Sequence, residues 1–508
     1  MQKKPYQRIL KTVRIIILKL NRFHGVKEIM VSGYYVILRL LVYLFSRHNE
    51  VKAIYLRGGL AREEIEPGDS DIDLIIITET LHGKKDYLFN KMIAKRWSRL
   101  RTFLPILGEM PIYNLKDLEF ICSLGSNDIV DADRWRLVYG LNLVERFPRQ
   151  KNELQTAIAF YLLNFWYFKL FDSFLKNDYR KETYLRMEFK CIYYIIRYSD
   201  EIFDALCANG KTEKTKEFSL KNGQLSEEKE AVKHELEEIR QNNYFCHNAL
   251  ELLMRWCSFS FSVLNLISIS VRNFFENGPF CPYQITDYLN VVPDEWVLRL
   301  GEQLKDNLGN IKIQEIKKIF FIFHATDANL IFSKYLFLTM TEDLPVETLK
   351  RVLLYCKQAN IASSEYWTVI MSSSALKAYF CCDPTLTDLF RSSIKLSLCE
   401  ASDIFCGTDK RSLSLYRALI LAFFLVIRHK RYLLLSEDEL YIRQRGMLET
   451  TNILLSSFGD KIPSFLSSSV NYSEFPNTNK DTRILNCNLY RLLNIAVHRL
   501  EKHICNYT

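Results

Sequence analysis

Residues 51–78 read VKAIYLRGGLAREEIEPGDSDIDLIIIT, and the fold turns on them. A β-rich run, Val51–Leu56, leads through Arg57 into Gly58-Gly59. A short helical piece is expected over Leu60–Ile65, then a turn at Glu66-Pro67-Gly68-Asp69. A second strand is expected over Asp71–Thr78; its half Leu74–Ile77 is continuously apolar and so should be buried on both faces. Downstream, residues 84–101 are periodic as a helix. In that helix Leu88, Met92, Trp97 and Leu100 should pack on the sheet, with Lys84, Lys91, Lys95 and Arg99 on a separate face. A further strand, Glu109–Tyr113, runs into the helix-like Asn114–Glu119, and Trp135–Val144 closes the unit. The expected fold class is therefore α+β, a small mixed-sheet domain over 51–148.

The glycine pair and the acids of this stretch carry chemistry. Two glycines between a strand and a helix let the backbone approach a ligand closely, and a helix N-terminus offers N–H groups to phosphate oxygens. Asp71 and Asp73 stand two apart on a strand, so both carboxylates leave the same face. Two such charges repel unless a cation lies between them, and hard oxygen ligands suit Mg²⁺, or Mn²⁺ in its place. A phosphate cradle beside a dicarboxylate metal site suits nucleotidyl transfer.

The same residues, Gly58-Gly59 followed by Asp71-Ile72-Asp73-Leu74, resemble the signature of the polymerase-β-type nucleotidyltransferases. The flanking Leu60-Ala61-Arg62 and Ser70 are similar to the small-enzyme branch, which includes antibiotic and protein nucleotidyltransferases. The resemblance covers about a fifth of the chain. It implies that Asp71 and Asp73 hold the metal ions, and that Gly58 and Gly59, helped by Ser70 and Arg62, contact the triphosphate. Ser70 is equally readable as a turn residue, Arg62 as a solvated charge, and Arg57 as a strand-end partner for the nearby acids. The family's third carboxylate would fall at position 111, where this chain has Pro111. Glu109 lies two residues earlier on the same face of the strand and is the candidate replacement. The implied activity is transfer of NMP from an NTP, with ATP the expected donor, to an acceptor hydroxyl with release of pyrophosphate. The acceptor can be a small molecule, a protein or an RNA end. The alternative is an inactive nucleotide-binding or protein-interaction module with the same fold, which the missing aspartate motivates.

The rest of the 508 residues sharpens these expectations. The net charge is +9, but residues 1–50 hold ten Lys or Arg against two Glu, so the remainder is nearly neutral. That excludes a body-wide nucleic-acid footprint, and no template nucleic acid is expected. Residues 8–22 have helical amphipathic periodicity, which either caps a domain or docks on an anionic membrane surface or a partner protein. The apolar run Ile29–Phe45 is broken by Arg39 and is shorter than the roughly 20 residues a span needs. The chain thus reads as non-spanning and cytoplasmic. Thirteen cysteines without a Cys-x-x-Cys pair read as reduced, buried thiols.

Beyond the catalytic unit, periodicity predicts helices over Ala157–Leu175, Tyr184–Tyr198, Tyr244–Asn273, Glu315–Leu338, Val346–Gln358, Leu413–Leu435 and Arg483–His503. The expected division is a basic lead-in over 1–50, the 51–148 domain and a helical domain over 149–208 adjoining the cleft. A charged linker with an exposed helix over 209–243 follows, then an all-helical region over 244–508. A second polar linker is read at 471–482. The sequence shows no internal repeat.

Overall fold

The computed structural model describes residues 23–63, 65, 67–68, 70–81, 84–104, 106–123, 135–146, 153–179, 183–208, 216–242, 244–276, 280–282, 316–323, 334–340, 345–358, 367–382, 394–395 and 412–414, with Ile17, Leu20, Tyr490 and Asn494. The described chain is mostly helical with a small mixed sheet in its N-terminal part, an α+β architecture. It divides into two compact units. The first comprises Met1–Asn152, Ala422–Leu440 and Lys461–Thr508; the second comprises Glu153–Leu421 and Tyr441–Asp460. Most of the expected helices over 8–22, 413–435 and 483–503, and all of the linker 471–482, lie outside the described residues.

In the first unit α1, His24–Ser46, precedes β1, Val51–Arg57, and β2, Asp73–Thr78. Then come α2, Lys84–Phe103, β3, Ile112–Asn114, α3, Leu115–Ser123, and β4, Arg136–Gly140. The sheet order is β3-β2-β1-β4. β1 is antiparallel to both β2 and β4, whereas β2 and β3 are parallel and joined through α2. Ala53–Leu56 and Leu74–Thr78 are fully or almost fully buried. Each large aliphatic chain so buried is worth about 1.5–3 kcal/mol, which locks the pairing of the two central strands. Gly140, at φ +83, lies so close to Lys52 that a Cβ there would stand 2.0 Å from the Lys52 carbonyl oxygen.

The face of α2 differs from expectation. α2 buries Asp86, Tyr87, Asn90, Ile93, Ala94 and Trp97, while Leu88 and Met92 are exposed. The reason is a buried polar cluster. Thr78 Oγ1 donates to Asn90 Oδ1 (3.2 Å), and the Asn90 amide donates to Asp86 (3.3 Å) and to the Tyr490 hydroxyl (2.9 Å). Tyr490 and the Asn114 amide each donate to Asp86 Oδ2, at 3.1 and 3.3 Å. These partners turn a polar edge of the helix inward, as a buried carboxylate requires. α1, in turn, buries Tyr34, Leu38, Leu41 and Phe45 and exposes Ile29, Val36, Leu40 and Tyr43 on another face.

The second unit is built on α4, Glu153–Lys176, α5, Arg186–Ala208, α6, Lys216–Gln241, and α7, Ala249–Glu276. A two-stranded link, β5 Thr183–Tyr184 with β6 Phe245–Cys246, ties them together. Its core is aromatic: Phe160, Tyr167, Phe168, Phe171, Phe174 and Trp256 are buried. Among the described residues two helices, Gly25–Ser46 and Ala249–Val271, are long and apolar enough to cross a membrane by length and composition. The first exceeds the run Ile29–Phe45 read from the sequence because its helix begins at His24, ends at Ser46 and is unbroken at Arg39.

An all-helical region beyond residue 244 is corrected by the structure. β7, Phe280–Pro282, is followed by β8, Ile316–Phe323, and β9, Lys334–Met340, in the segment expected as one helix. α8, Val346–Gln358, β10, Trp367–Ser372, α9, Ser373–Cys382, β11, Ile394–Lys395, and β12, Ser412–Ser414, complete the series. The second sheet has the order β10-β9-β8-β11. Short apolar runs do not distinguish a buried strand from a buried helix by periodicity, and β-branched and aromatic residues fill Ile316–Phe323. Among the cysteines whose side chains are described no disulfide forms: Cys122, Cys191, Cys257 and Cys356 are buried and Cys246 is partly so. Desolvation pushes the Cys191 and Cys356 thiols up to about 12, so both remain protonated.

Candidate active site

The acids gather where β1 ends and β2 begins. Arg57 and Asp73 are paired across the two strands, so the chain leaves β1 directly opposite Asp73. Gly58 follows with φ +75, a left-handed conformation that a side chain disfavours. A Cβ at Gly58 would stand 3.0 Å from Asp73 Oδ2. The backbone of the glycine step therefore lies against the carboxylate. Residues Gly59–Glu63 form hydrogen-bonded turns, not the short helix expected over Leu60–Ile65. The Arg62 N–H reaches the carbonyls of Gly58 and Gly59 at 3.4 and 3.2 Å, and the chain then turns away at Glu63, where φ is +63. Among the described residues no helix N-terminus follows the glycines, and any phosphate contact there falls to the loop backbone. Arg62 is exposed, and Glu63 is bridged by Arg136 of β4 at 3.0 Å.

Asp71 and Asp73 flank Ile72, which is buried and forms a parallel bridge with Leu107. The Ile72 N–H donates to the Ile106 carbonyl (2.8 Å), and the Gly108 N–H donates to Ile72 (3.0 Å). This pins the segment between the acids and leaves both aspartates partly accessible. Gly108 makes that packing feasible. A Cβ there would fall 2.1 Å from Asp73 Oδ1 and 2.8 Å from Asp71 Cβ. The Glu109 N–H donates to Asp73 Oδ1 at 2.6 Å. Desolvation nevertheless raises the Asp73 pKa, opposed by this bond and by the Arg57 charge and reinforced by Asp71 and Glu109. The carboxylate is thus crowded by two neighbouring acids, a state that a bound divalent cation relieves. Asp71 and Asp73 fit the hard oxygen ligands that Mg²⁺ or Mn²⁺ prefers.

The third position is placed as follows. The β2–β3 register pairs Ile76 with Ile112, and carried back three residues it sets Glu109 beside Asp73. The Leu74 N–H donates to the Glu109 carbonyl (3.0 Å) and the Ile76 N–H to the Pro111 carbonyl (3.1 Å). Pro111 is therefore an acceptor within the parallel pairing, where its missing N–H costs nothing on the β2 side. Glu109 is exposed at the rim next to the aspartates. Among the described residues, no three His, Cys, Asp or Glu side chains form a group that can hold a metal ion.

Two positioning residues escaped the sequence reading. The Tyr34 hydroxyl of α1 donates to the Ser70 carbonyl (2.8 Å) and accepts the Gly68 N–H (3.4 Å), holding the turn just before Asp71. Ser70 takes part through its backbone here. Gly108 is the other, and a glycine beside an expected strand is a signal that could have found it. Tyr34 had only its place in an apolar run. Comparison with known protein families, with curated proteins and with solved structures finds no match.

Proposed function

We propose that the chain is a Mg²⁺-dependent nucleotidyltransferase that moves NMP from an NTP, ATP by expectation, to an acceptor hydroxyl and releases pyrophosphate. One observation carries this reading: two glycine backbones, Gly58 and Gly108, close on a single carboxylate, Asp73, with Asp71 beside it. Such tight packing around an ionised group makes sense when the group is held in one orientation for a ligand. Asp71 and Asp73 would hold the metal, which when bound neutralises charge on the phosphates. The loop backbone at Gly58 and Gly59 would line the triphosphate, with Arg62 and Ser70 at its margin. Glu109, at the rim, would take the proton of the attacking hydroxyl. The acceptor is a small molecule, a protein or an RNA end. The exposed face of α1 and the basic residues 1–22 would dock a cytoplasmic enzyme on an anionic surface.

The test is incubation of the purified chain with α-labelled NTPs, Mg²⁺ and cell extract. Asp71→Asn with Asp73→Asn is expected to abolish label transfer while the circular dichroism spectrum and melting transition persist; unchanged transfer would sink the proposal. A second reading keeps the fold as an inactive nucleotide-binding or interaction module. Pro111 at the expected acid position and the exposure of Glu109 favour it. It predicts nucleotide binding with no transfer to any acceptor.

A further inference from the structure

The second sheet repeats the first. In the order β3-β2-β1-β4, the pairings are parallel, antiparallel and antiparallel; in β10-β9-β8-β11 they are the same three in the same sequence. Shared topology alone can arise independently in small sheets. Four details that topology does not require also coincide.

The first is a bulge. β1 and β2 pair from Arg57↔Asp73 to Ala53↔Ile77, then skip Lys52 to reach Val51↔Thr78. β8 and β9 pair from Phe323↔Lys334 to Lys318↔Thr339, then skip Lys317 to reach Ile316↔Met340. The second is spacing: residues 79–83 separate β2 from α2, and residues 341–345 separate β9 from α8, five in each case. The third is the parallel partner. Thr78, after the bulge, pairs with Asn114, and Met340, after its bulge, pairs with Ser372. The fourth is the junction that follows. Asn114 and Ser372 each end their strand and are followed at once by a helix. Asn114 Oδ1 accepts the Asp117 N–H at 2.9 Å, and Ser372 Oγ accepts the Ala375 N–H at 3.1 Å. Both are side-chain caps three residues ahead.

We infer that residues 316–395 are a second copy of the 51–140 core, and that this copy has lost the chemistry. Its chemical meaning rests on the nucleotidyltransferase reading of the first sheet; its topology does not. Anchored on the two bulges, Asp73 corresponds to Tyr335, and Glu109, five residues before Asn114, to Trp367, five before Ser372. The sequence position equivalent to Asp71 is Ser333, and Gly58-Gly59 is replaced by Phe323-His324. Hydroxyl and indole groups are neutral at neutral pH and do not bridge divalent ions to phosphates as paired carboxylates do. Most apolar positions are kept: Leu74–Ile76 corresponds to Leu336–Leu338 and Ile112 to Ile370, while Ile77 is replaced by Thr339. The folding pattern survived and the metal ligands did not. The chain therefore carries one transfer centre and one silent core, and the silent core contributes no metal–nucleotide site.

Two measurements on the full-length chain test this. Backbone amide NOEs of the perdeuterated chain are expected to run β10 parallel to β9, with Lys317 bulged and Ser372 capping α9. A different strand order, or a register that puts an acid at the Tyr335 or Trp367 position, overturns the inference. Mn²⁺ titration with a non-hydrolysable ATP analogue, followed by electron paramagnetic resonance, is expected to find one nucleotide-dependent class of site. Asp71→Asn with Asp73→Asn should eliminate it. Mn²⁺–nucleotide binding that survives in this double variant overturns the silent assignment. No such binding in the unaltered chain instead defeats the proposed function, and the structural measurement still decides the duplication.

Discussion

At the residue scale the candidate site depends on what is missing as much as on what is present. Gly108 contributes no side chain, and that is its contribution: a methyl group there would overlap both Asp73 Oδ1 and Asp71 Cβ. The first clash could be relieved by rotating a carboxylate, but the second involves the Asp71 stem, which can move only with its backbone. Gly108→Ala is therefore expected to lower transfer by about 100-fold, the scale on which a displacement of about 1 Å acts. The protein should remain folded, and single-turnover kinetics with α-labelled NTP provides the check. Tyr34 acts one step further away. Its hydroxyl joins the Gly68 N–H to the Ser70 carbonyl at the turn that delivers Asp71. Tyr34→Phe keeps the ring in the core and removes the clamp. A loss of about 0.5–1.5 kcal/mol of stability is expected in denaturant titration, with a larger proportional fall in kcat than in KM. Of these residues the aspartates and Gly58 were legible, because paired acids and a glycine step are local patterns. Gly108 and Tyr34 work through partners more than 30 positions away, and no local pattern marks such a partner.

At the element scale, helices and strands declared themselves unequally. α8 matches the periodic segment Val346–Gln358 residue for residue, since a stripe of Leu349, Val352, Leu353 and Cys356 faces a core. β8 and β9 did not, because two adjacent apolar runs look like one apolar helix until their partners are known. α2 is rotated from its expected face because the buried Asp86 has Asn90, Asn114 and Tyr490 as hydrogen-bond donors. α1 presents two apolar faces. Tyr34, Leu38, Leu41 and Phe45 turn inward, while Ile29, Val36, Leu40 and Tyr43 face outward, and seven Lys or Arg with no acid precede Phe23. An interfacial helix is built this way, apolar on one side with cations nearby. Co-flotation with vesicles containing about 30% phosphatidylserine is thus expected, with little binding to neutral phosphatidylcholine vesicles at equal salt. Leu40→Asp with Val36→Asp should abolish flotation and leave nucleotide transfer intact. Equal flotation with both lipids would refute the electrostatic part of the docking proposal.

At the scale of the whole molecule, the two sheets set an asymmetric expectation for ligand response. Anything that binds the native state alone stabilises the region that holds it. Mg²⁺ with a non-hydrolysable ATP analogue should therefore slow amide hydrogen exchange in residues 51–57, 71–78 and 107–114. The exchange of β8, β9 and β10 should remain unchanged. Slowing of both sheets to the same extent would contradict a single loaded centre.

The sequence by itself determined the first sheet's two central strands, the position of its acids, and most of the long helices. Each of these is written in local spacing: alternation or continuous burial for strands, 3.6-residue periodicity for helices, and two-residue separation for carboxylates on one face. It also located the net charge in the first 50 residues. Only the tertiary structure decided that Gly108 and Glu109 close on Asp73. Tyr34 holding the turn before Asp71, and 316–340 forming two strands, were likewise decided there. The likeness of the two sheets was invisible in the residues because what they share is hydrogen-bond register, a bulge and a cap. Those are properties of the backbone, and many side chains can satisfy them, whereas the paired acids that would have marked a repeat are present in the first sheet alone.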